Sequence, residues 1–350
     1  MAAERYALWV EYDGTAFYGS QRQTKEPTVQ SDLEEALSRL ERDGDRVSVV
    51  LAGRTDAGVH ATGMVVHTDL HRRLDEAVLL SSLNATLDPS RIGVVAARRC
   101  TGSSFHAQRS AVERTYVYRI QHGCGMADPH EVVERADACP ALVRRGWLSV
   151  VRDRNRALCL RETLDVDAML AAARTLACGA PRDFSALASQ SGLAGAQPVR
   201  QLTELSVIDE VPDALSEHTR HGARGRSISV VARSRAFLKS QVRRMVACLI
   251  ECGRGAMSAE ALEELLATRD PSRAPPPAPA HGLYLADVKY AEESFEPRSG
   301  GIGAAIGHAA EPDTAAACAP PGPSASPLDG RHGETEELRG DCVKICASIM

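Results

Sequence analysis

"VSVVLAGRTDAGVHATGMVVHTDL", residues 47–70, decides how this chain is read. Apolar, β-branched runs stand at both ends, over residues 47–52 and 64–70, and both read as strands. Between them lie Gly53 and Gly58, which permit tight turns or positive φ. Arg54, Asp56 and His60 share the same short loop. Such a unit presents a carboxylate at a loop tip instead of packing it. Most loop aspartates only form turns. A guanidinium close by would hold Asp56 ionised, or would itself take a phosphate bidentately. An ionised, positioned carboxylate can act as nucleophile or general base.

Outward from this loop, strand and helix signals alternate. "RYALWVEY" (5–12) reads as a strand that ends in a turn at Asp13-Gly14. Thr28 is placed to cap a helix with Val29, Leu33, Leu37 and Leu40 on one face. A helix is predicted over 75–87, ending before Pro89, with strands at 92–97 and 113–120. Residues 123–163 are irregular, with a short strand-like piece around Trp147 and Val151. Asp165 can cap a helix through Leu176. Strands follow at 199–208 and 227–232. A long helix is predicted from about 235 to 252, with Leu238, Val242, Met245 and Leu249 on one face and Arg243 and Arg244 beside it. "SAEALEELLATR" (258–269) reads as a helix and "GLYLADVKY" (282–290) as a last strand. "APPPAPA" (274–280) reads as a rigid Pro-rich turn.

This order predicts an α+β fold with largely antiparallel sheets. Two ferredoxin- or RRM-like halves, residues 1–120 and 121–290, would lie side by side. Their helices would cover one face and leave a cleft on the other. Residues 291–350 are rich in Ala, Gly, Pro and Ser, bury little apolar surface, and read as a disordered tail.

Composition narrows the function classes. Hydrophobic residues make up 44% and charged residues 25%, the balance of a water-soluble globular chain. No apolar run approaches a membrane span, and the N-terminus enters a strand pattern at once, without a signal-peptide pattern. The ten cysteines form no CxxC and no regular framework, so reduced thiols are expected. An intracellular, most simply cytoplasmic, protein is expected. The net charge is −5, but residues 291–350 hold 4 basic and 10 acidic residues, leaving 37 and 36 in the rest. A near-neutral body with local arginine clusters can hold a basic groove. His60, His67 and His71 suggest a metal site only weakly. Their stretch reads as strand, where i,i+4 spacing does not converge, and no Cys or Glu completes a zinc set.

"GRTDAGVHATG" (53–63) closely resembles the signature of the tRNA pseudouridine synthase A (TruA) family. The resemblance extends through "EYDGTAFYGSQRQ" (11–23), "FHAQRSAVERTYVYRI" (105–120), "DFSAL" (183–187), "PVR" (198–200), "FLKSQVRRMVACLIECG" (237–253) and "HGLYLADVKY" (281–290). It thus spans roughly residues 5–290. Two positions depart from the family pattern: Ser20 where Trp is frequent, and Gln108 where Arg is frequent. Both are expected at the RNA-contact region.

The resemblance implies an isomerase that converts uridine to pseudouridine at positions 38–40 of the tRNA anticodon arm. It implies Asp56 as the catalytic residue, with Tyr116, Arg54 and Arg243 beside it. Tyr116 would stack on the uracil, its hydroxyl available for proton transfer. Arg54 would fill the space of the flipped base or clamp a phosphate, and Arg243 would neutralise Asp56 or a phosphate. His106, Arg109, Arg22 and Gln23 are the expected RNA contacts. No cofactor and no metal is expected. Some family members act as homodimers, and tRNA is the expected partner. Competing readings are a ribosomal- or messenger-RNA substrate, a non-catalytic RNA-binding relative, and a metal-dependent hydrolase built on Asp56, His60 and His67.

Overall fold

Alternation in the first strand sets the sheet. β1 (Glu4–Tyr12) turns Tyr6, Leu8 and Val10 fully inward, as a half-buried strand of period two must. The computed structural model describes residues 3–41, 46–123, 155–193, 195, 197–210 and 226–297. The piece expected around Trp147 and Val151, and the tail past residue 297, lie outside the described residues.

α1 (Val29–Ser38) begins where its cap dictates. The Thr28 side chain accepts from the Ser31 N–H, and the Ser31 hydroxyl accepts from the Thr28 N–H, a reciprocal capping box. Its inner face buries Val29, Leu33 and Leu37 completely; truncating either leucine to alanine costs about 2–5 kcal/mol. β2 (Val49–Leu51) and β3 (His60–Leu70) flank the glycine loop. α2 (Glu76–Thr86), capped by Asp75, and β4 (Ile92–Arg99) follow, then β5 (Glu113–His122).

Beyond β5 come β6 (Leu158–Cys159), α3 (Val166–Leu176) capped by Asp165, β7 (Arg182–Asp183), α4 (Gln190–Leu193), β8 (Val199–Arg200), β9 (Leu202–Glu210) and β10 (Arg226–Ser234). α5 (Gln241–Gly253), α6 (Ala259–Thr268) and β11 (Leu283–Lys289) complete the order.

The main sheet runs β4-β1-β3-β11-β5-β10-β9, with β2 also on β3 and β6 also on β5. All pairings are antiparallel except β3 with β11 and β5 with β6. The fold is therefore α+β with one large, mainly antiparallel sheet. β11, the last strand among the described residues, sits at its middle between β3 and β5. It approaches β3 closely at Gly63, where an added Cβ would lie 2.2 Å from the Ala286 carbonyl oxygen. β7 and β8 form a separate two-stranded sheet. Among the described residues no helix is long and apolar enough to cross a membrane.

One element boundary differs from the sequence reading. α5 starts at Gln241 instead of about 235, because β10 continues through Ser234 and Ser240 takes a left-handed conformation, φ 63, that no α-helix continues through. The domain boundary expected near 120 falls inside β5. Within the segment read as tail, Phe295 is buried against Trp9, Phe105 and Tyr290, and Glu292 pairs with Arg98.

Candidate active site

β2 leaves β3 after Leu51, with the Ala52 N–H still donating to the Val65 carbonyl at 2.8 Å. The chain then crosses residues 53–59 before β3 begins. The Val59 N–H donates to the Asp56 carbonyl at 3.1 Å. This closes a turn in which Gly58 has φ 79, a position that demands glycine. Gly53, expected to share that freedom, is not among the left-handed glycines.

Thr55 is the anchor. Its hydroxyl lies 2.8 Å from the Tyr12 hydroxyl, and its N–H donates to Ser20 Oγ at 2.9 Å. The Ser20 N–H donates back to the Thr55 carbonyl at 3.1 Å. Neighbouring Gly19, φ 96, lets this approach happen: a Cβ there would sit 3.0 Å from the Thr55 oxygen. With Thr55 held inside, Asp56 projects from the turn with 32% of its side chain exposed.

Two donors meet one oxygen of that carboxylate. Arg243 Nη1 stands 3.0 Å from Asp56 Oδ2, and Ser240 Oγ stands 3.4 Å from the same atom. Arg243 is itself braced by the Pro-rich connector. Its Nε donates to the Ala278 carbonyl at 2.7 Å, and the Ala278 N–H returns to the Arg243 carbonyl at 3.0 Å. Pro279 next to it accepts from the Tyr118 hydroxyl at 2.9 Å. The "APPPAPA" turn is thus the scaffold that aims Arg243. Its stiffness was legible in the sequence, its destination was not.

Tyr116 stands on β5 between Ala232 and Leu285. Its ring packs edge-on against Phe237, centroids 5.3 Å apart. Burial pushes its hydroxyl up to about 12, with Arg114 opposing and the Asp56 charge adding. The phenol is therefore neutral and electrostatically coupled to Asp56. Arg114, two residues earlier, is buried with carbonyls as its partners. Its guanidinium donates to Ala52 at 2.6 Å, to Gln108 at 2.8 Å, and to Arg235. It ties together the root of the glycine loop, the segment before β5 and the segment before α5. The sequence reading assigned it no role.

The other predicted residues lie as follows. Arg54 is exposed and makes no hydrogen bond or ion pair among the described residues, so the guanidinium on Asp56 belongs to Arg243. Arg22 pairs with Glu34, its Nε 2.7 Å from Oε2, and the Gln23 amide donates to the Tyr18 carbonyl. His106 Nδ1 accepts from the N–H groups of Gln108 and Arg109 at 3.2 and 3.3 Å. Among the described residues no hydrogen bond or ion pair joins Arg22, Gln23, His106 or Arg109 to Asp56. Ser20, expected at an RNA-contact region, is instead fully buried against Thr55. Gln108 is exposed, and its carbonyl holds Arg114. His60 uses both ring nitrogens within the protein, with Gly14 at 3.1 Å and Asn155 at 2.8 Å, and stacks on Tyr284. His67 Nδ1 accepts from the Ala107 N–H at 3.1 Å.

The arrangement brings together an oriented carboxylate and a neutral phenol, with the exposed Arg54 two residues from the carboxylate in the same loop. Similarity to known proteins agrees with that chemistry. A family model described as tRNA pseudouridine synthase matches residues 8–108 and 181–291, which include Arg54, Asp56 and Arg243 but not Tyr116. The chain is 38% identical over 291 residues to tRNA pseudouridine synthase A of Cereibacter sphaeroides, covering 83% of this chain and 99% of that one. It is 36% identical over 293 residues to the protein of the same name from Dinoroseobacter shibae, covering 84% and 99%. Against that of Azorhizobium caulinodans it is 38% identical over 292 residues, covering 83% and 96%.

Proposed function

The chain belongs to the tRNA pseudouridine synthase family, and from that premise we propose that it isomerises uridine to pseudouridine at positions 38–40 of the tRNA anticodon arm, with Asp56 as nucleophile. The observation that carries this reading is the geometry at Asp56. A motif aspartate is lifted from a glycine turn, its neighbour Thr55 is locked inside, and Arg243 engages one carboxylate oxygen. A carboxylate that only closed a turn would need no such partner.

The reaction balances without a co-reactant. The N1–C1′ bond breaks, a C5–C1′ bond forms, C5 loses a proton and N1 carries one. The target uridine must first leave its stack to reach Asp56. Asp56 then adds to the base or attacks C1′. Tyr116, neutral and beside the carboxylate, stacks on the uracil and exchanges the proton. Arg54, exposed and unpaired among the described residues, fills the vacated stack or holds a phosphate. His106, Arg109, Arg22 and Gln23 contact RNA in this reading. Recognition rests on RNA shape, phosphates and splayed bases.

The two-half reading of the fold is supported by strand order. β1-α1-β2-β3-α2-β4 assemble as β4-β1-β3-β2, and β5-α3-β9-β10-α5-β11 assemble as β11-β5-β10-β9, the same split arrangement twice. The two sets meet at β3 and β11, next to the Asp56 loop, where the RNA cleft would lie. In this reading the chain can act as a homodimer, as some members of the family do.

The test is pseudouridine mapping by carbodiimide adducts and reverse-transcription stops on a tRNA transcript, with the wild-type chain beside Asp56→Asn and Asp56→Ala. Stops at positions 38–40 with wild type alone support site and nucleophile together. Activity in both variants sinks the role of Asp56. Stops only in ribosomal or messenger RNA would move the substrate.

A further inference from the structure

α5 begins at a serine that does not cap it. An N-terminal serine ordinarily takes extended backbone and accepts an N–H from the first turn. Ser240 does neither: its φ is 63 and ψ 5, and its side chain makes no capping bond. The helix start is served by other groups. The Gln241 N–H donates to the Leu238 carbonyl at 3.1 Å, and the Arg244 N–H to the Ser240 carbonyl at 3.0 Å. The buried Gln241 side chain accepts from the Leu238 N–H at 2.8 Å. The Ser240 hydroxyl is thereby released from capping and lies 3.4 Å from Asp56 Oδ2.

A non-glycine residue in the left-handed region is strained, and such strain persists where the surroundings over-determine it. The surroundings here do. The Lys239 carbonyl accepts from the Ser189 N–H at 3.0 Å, Phe237 packs on Tyr116, and the Arg235 carbonyl holds Arg114. Three described non-glycine residues have positive φ: Asn155, Ser240 and Arg269. Of these, Ser240 alone touches Asp56.

We infer that Ser240 is a positioning residue for the reaction: with Arg243 it engages Oδ2 of Asp56, fixes the carboxylate's rotation and leaves Oδ1 for the substrate. Among the described residues Oδ1 accepts no hydrogen bond. A bond of 3.4 Å is long, and contacts of this kind shorten when substrate closes the site. The inference rests on the proposed role of Asp56.

The substitutions separate the hydroxyl from the backbone. Ser240→Gly keeps the left-handed conformation without strain and removes the donor. Ser240→Asn tolerates the same conformation and restores a donor, one bond longer, that can span the 3.4 Å to Oδ2. The readouts are single-turnover pseudouridine formation at saturating tRNA transcript and, separately, tRNA affinity by filter binding. Ser240→Gly is expected to slow the chemical step by roughly ten- to a hundredfold with affinity unchanged, and Ser240→Asn to recover most of the rate. Wild-type rate in Ser240→Gly, no recovery in Ser240→Asn, or a loss confined to affinity would overturn the inference alone. No product from the wild-type chain would overturn the functional reading and this inference with it.

Discussion

Arg243 Nη1 stands 3.0 Å from Asp56 Oδ2, joining two residues that lie 187 positions apart. Asp56 remains about one-third exposed and Arg243 about one-sixth. Solvent screens such a pair, so it contributes only about 0–1 kcal/mol to folding. Its consequence is directional. The guanidinium is held by Ala278 at its Nε and offers Nη1 to the carboxylate, which fixes the orientation of Asp56.

Arg243→Lys keeps the charge and loses the fork that reaches both partners. Misplacing the carboxylate by about 1 Å costs roughly a hundredfold in rate. We expect a loss of that order in single-turnover pseudouridine formation, with unfolding free energy changed by less than about 2 kcal/mol. A lysine variant as fast as wild type would show that the fork is not needed.

Thr55→Val should loosen the loop from below. Burial pushes the Tyr12 hydroxyl far above its ordinary range, and the Thr55 hydroxyl is its partner. Removing that partner leaves a buried phenol unpaired, at a cost of about 1–3 kcal/mol. Urea unfolding reads this directly. The Thr55 backbone keeps both its bonds to Ser20, so activity should fall less than stability.

Arg114→Met leaves three backbone carbonyls, of Ala52, Gln108 and Arg235, without their shared donor. The loss should exceed about 3 kcal/mol, seen as a lower denaturation midpoint. Arg114→Lys, which cannot span all three, should fall between the two. An unaltered midpoint in the methionine variant would remove Arg114 from the scaffold of the loop.

Tyr116 should stay protonated throughout any ordinary assay. Burial chiefly, and the Asp56 charge next to it, raise its hydroxyl to about 12, and a raised acid ionises only as pH climbs toward that value. Tyr116→Phe should therefore lower the rate without changing the shape of the pH–rate profile. A basic limb present in wild type and absent in Tyr116→Phe would contradict this.

His67 should make the fold sensitive to acid. Burial first, then Arg5 and His106 nearby, lower its pKa from 6.5 to about 4. As pH falls through that window the unfolded chain takes the proton before the folded one. The stability present above about 6.5 is then lost progressively down to about 4, on the order of 3 kcal/mol in all. Protonation also removes the acceptor for the Ala107 N–H. His67→Gln should flatten the pH dependence of stability across that window, as measured by denaturant unfolding at stepped pH. An unchanged slope would assign the acid sensitivity elsewhere.

Much of the fold was legible because it is written locally. Thr28, Asp75, Asp165 and Ser258 each cap the helix that follows, as Ser/Thr/Asp before an apolar period predicts. The error at α5 came from periodicity alone. Leu238 is buried like Val242 and Met245, yet it precedes the helix, and nothing in the spacing reveals that Ser240 turns left-handed.

The site divides in the same way. The sequence by itself determined the glycine turn that lifts Asp56, the strands on either side, and the motif that marks the family. These depend on residues within a few positions of one another, where backbone geometry is set by local sterics. Tertiary structure decided which arginine meets Asp56, that Ser20 lies inside beneath Thr55, that residues 274–280 brace Arg243, and that β11 joins the two strand sets at β3. Those contacts bring together residues far apart in the chain, and hydrogen bonds and charges act over distance in space, which spacing along a sequence does not encode.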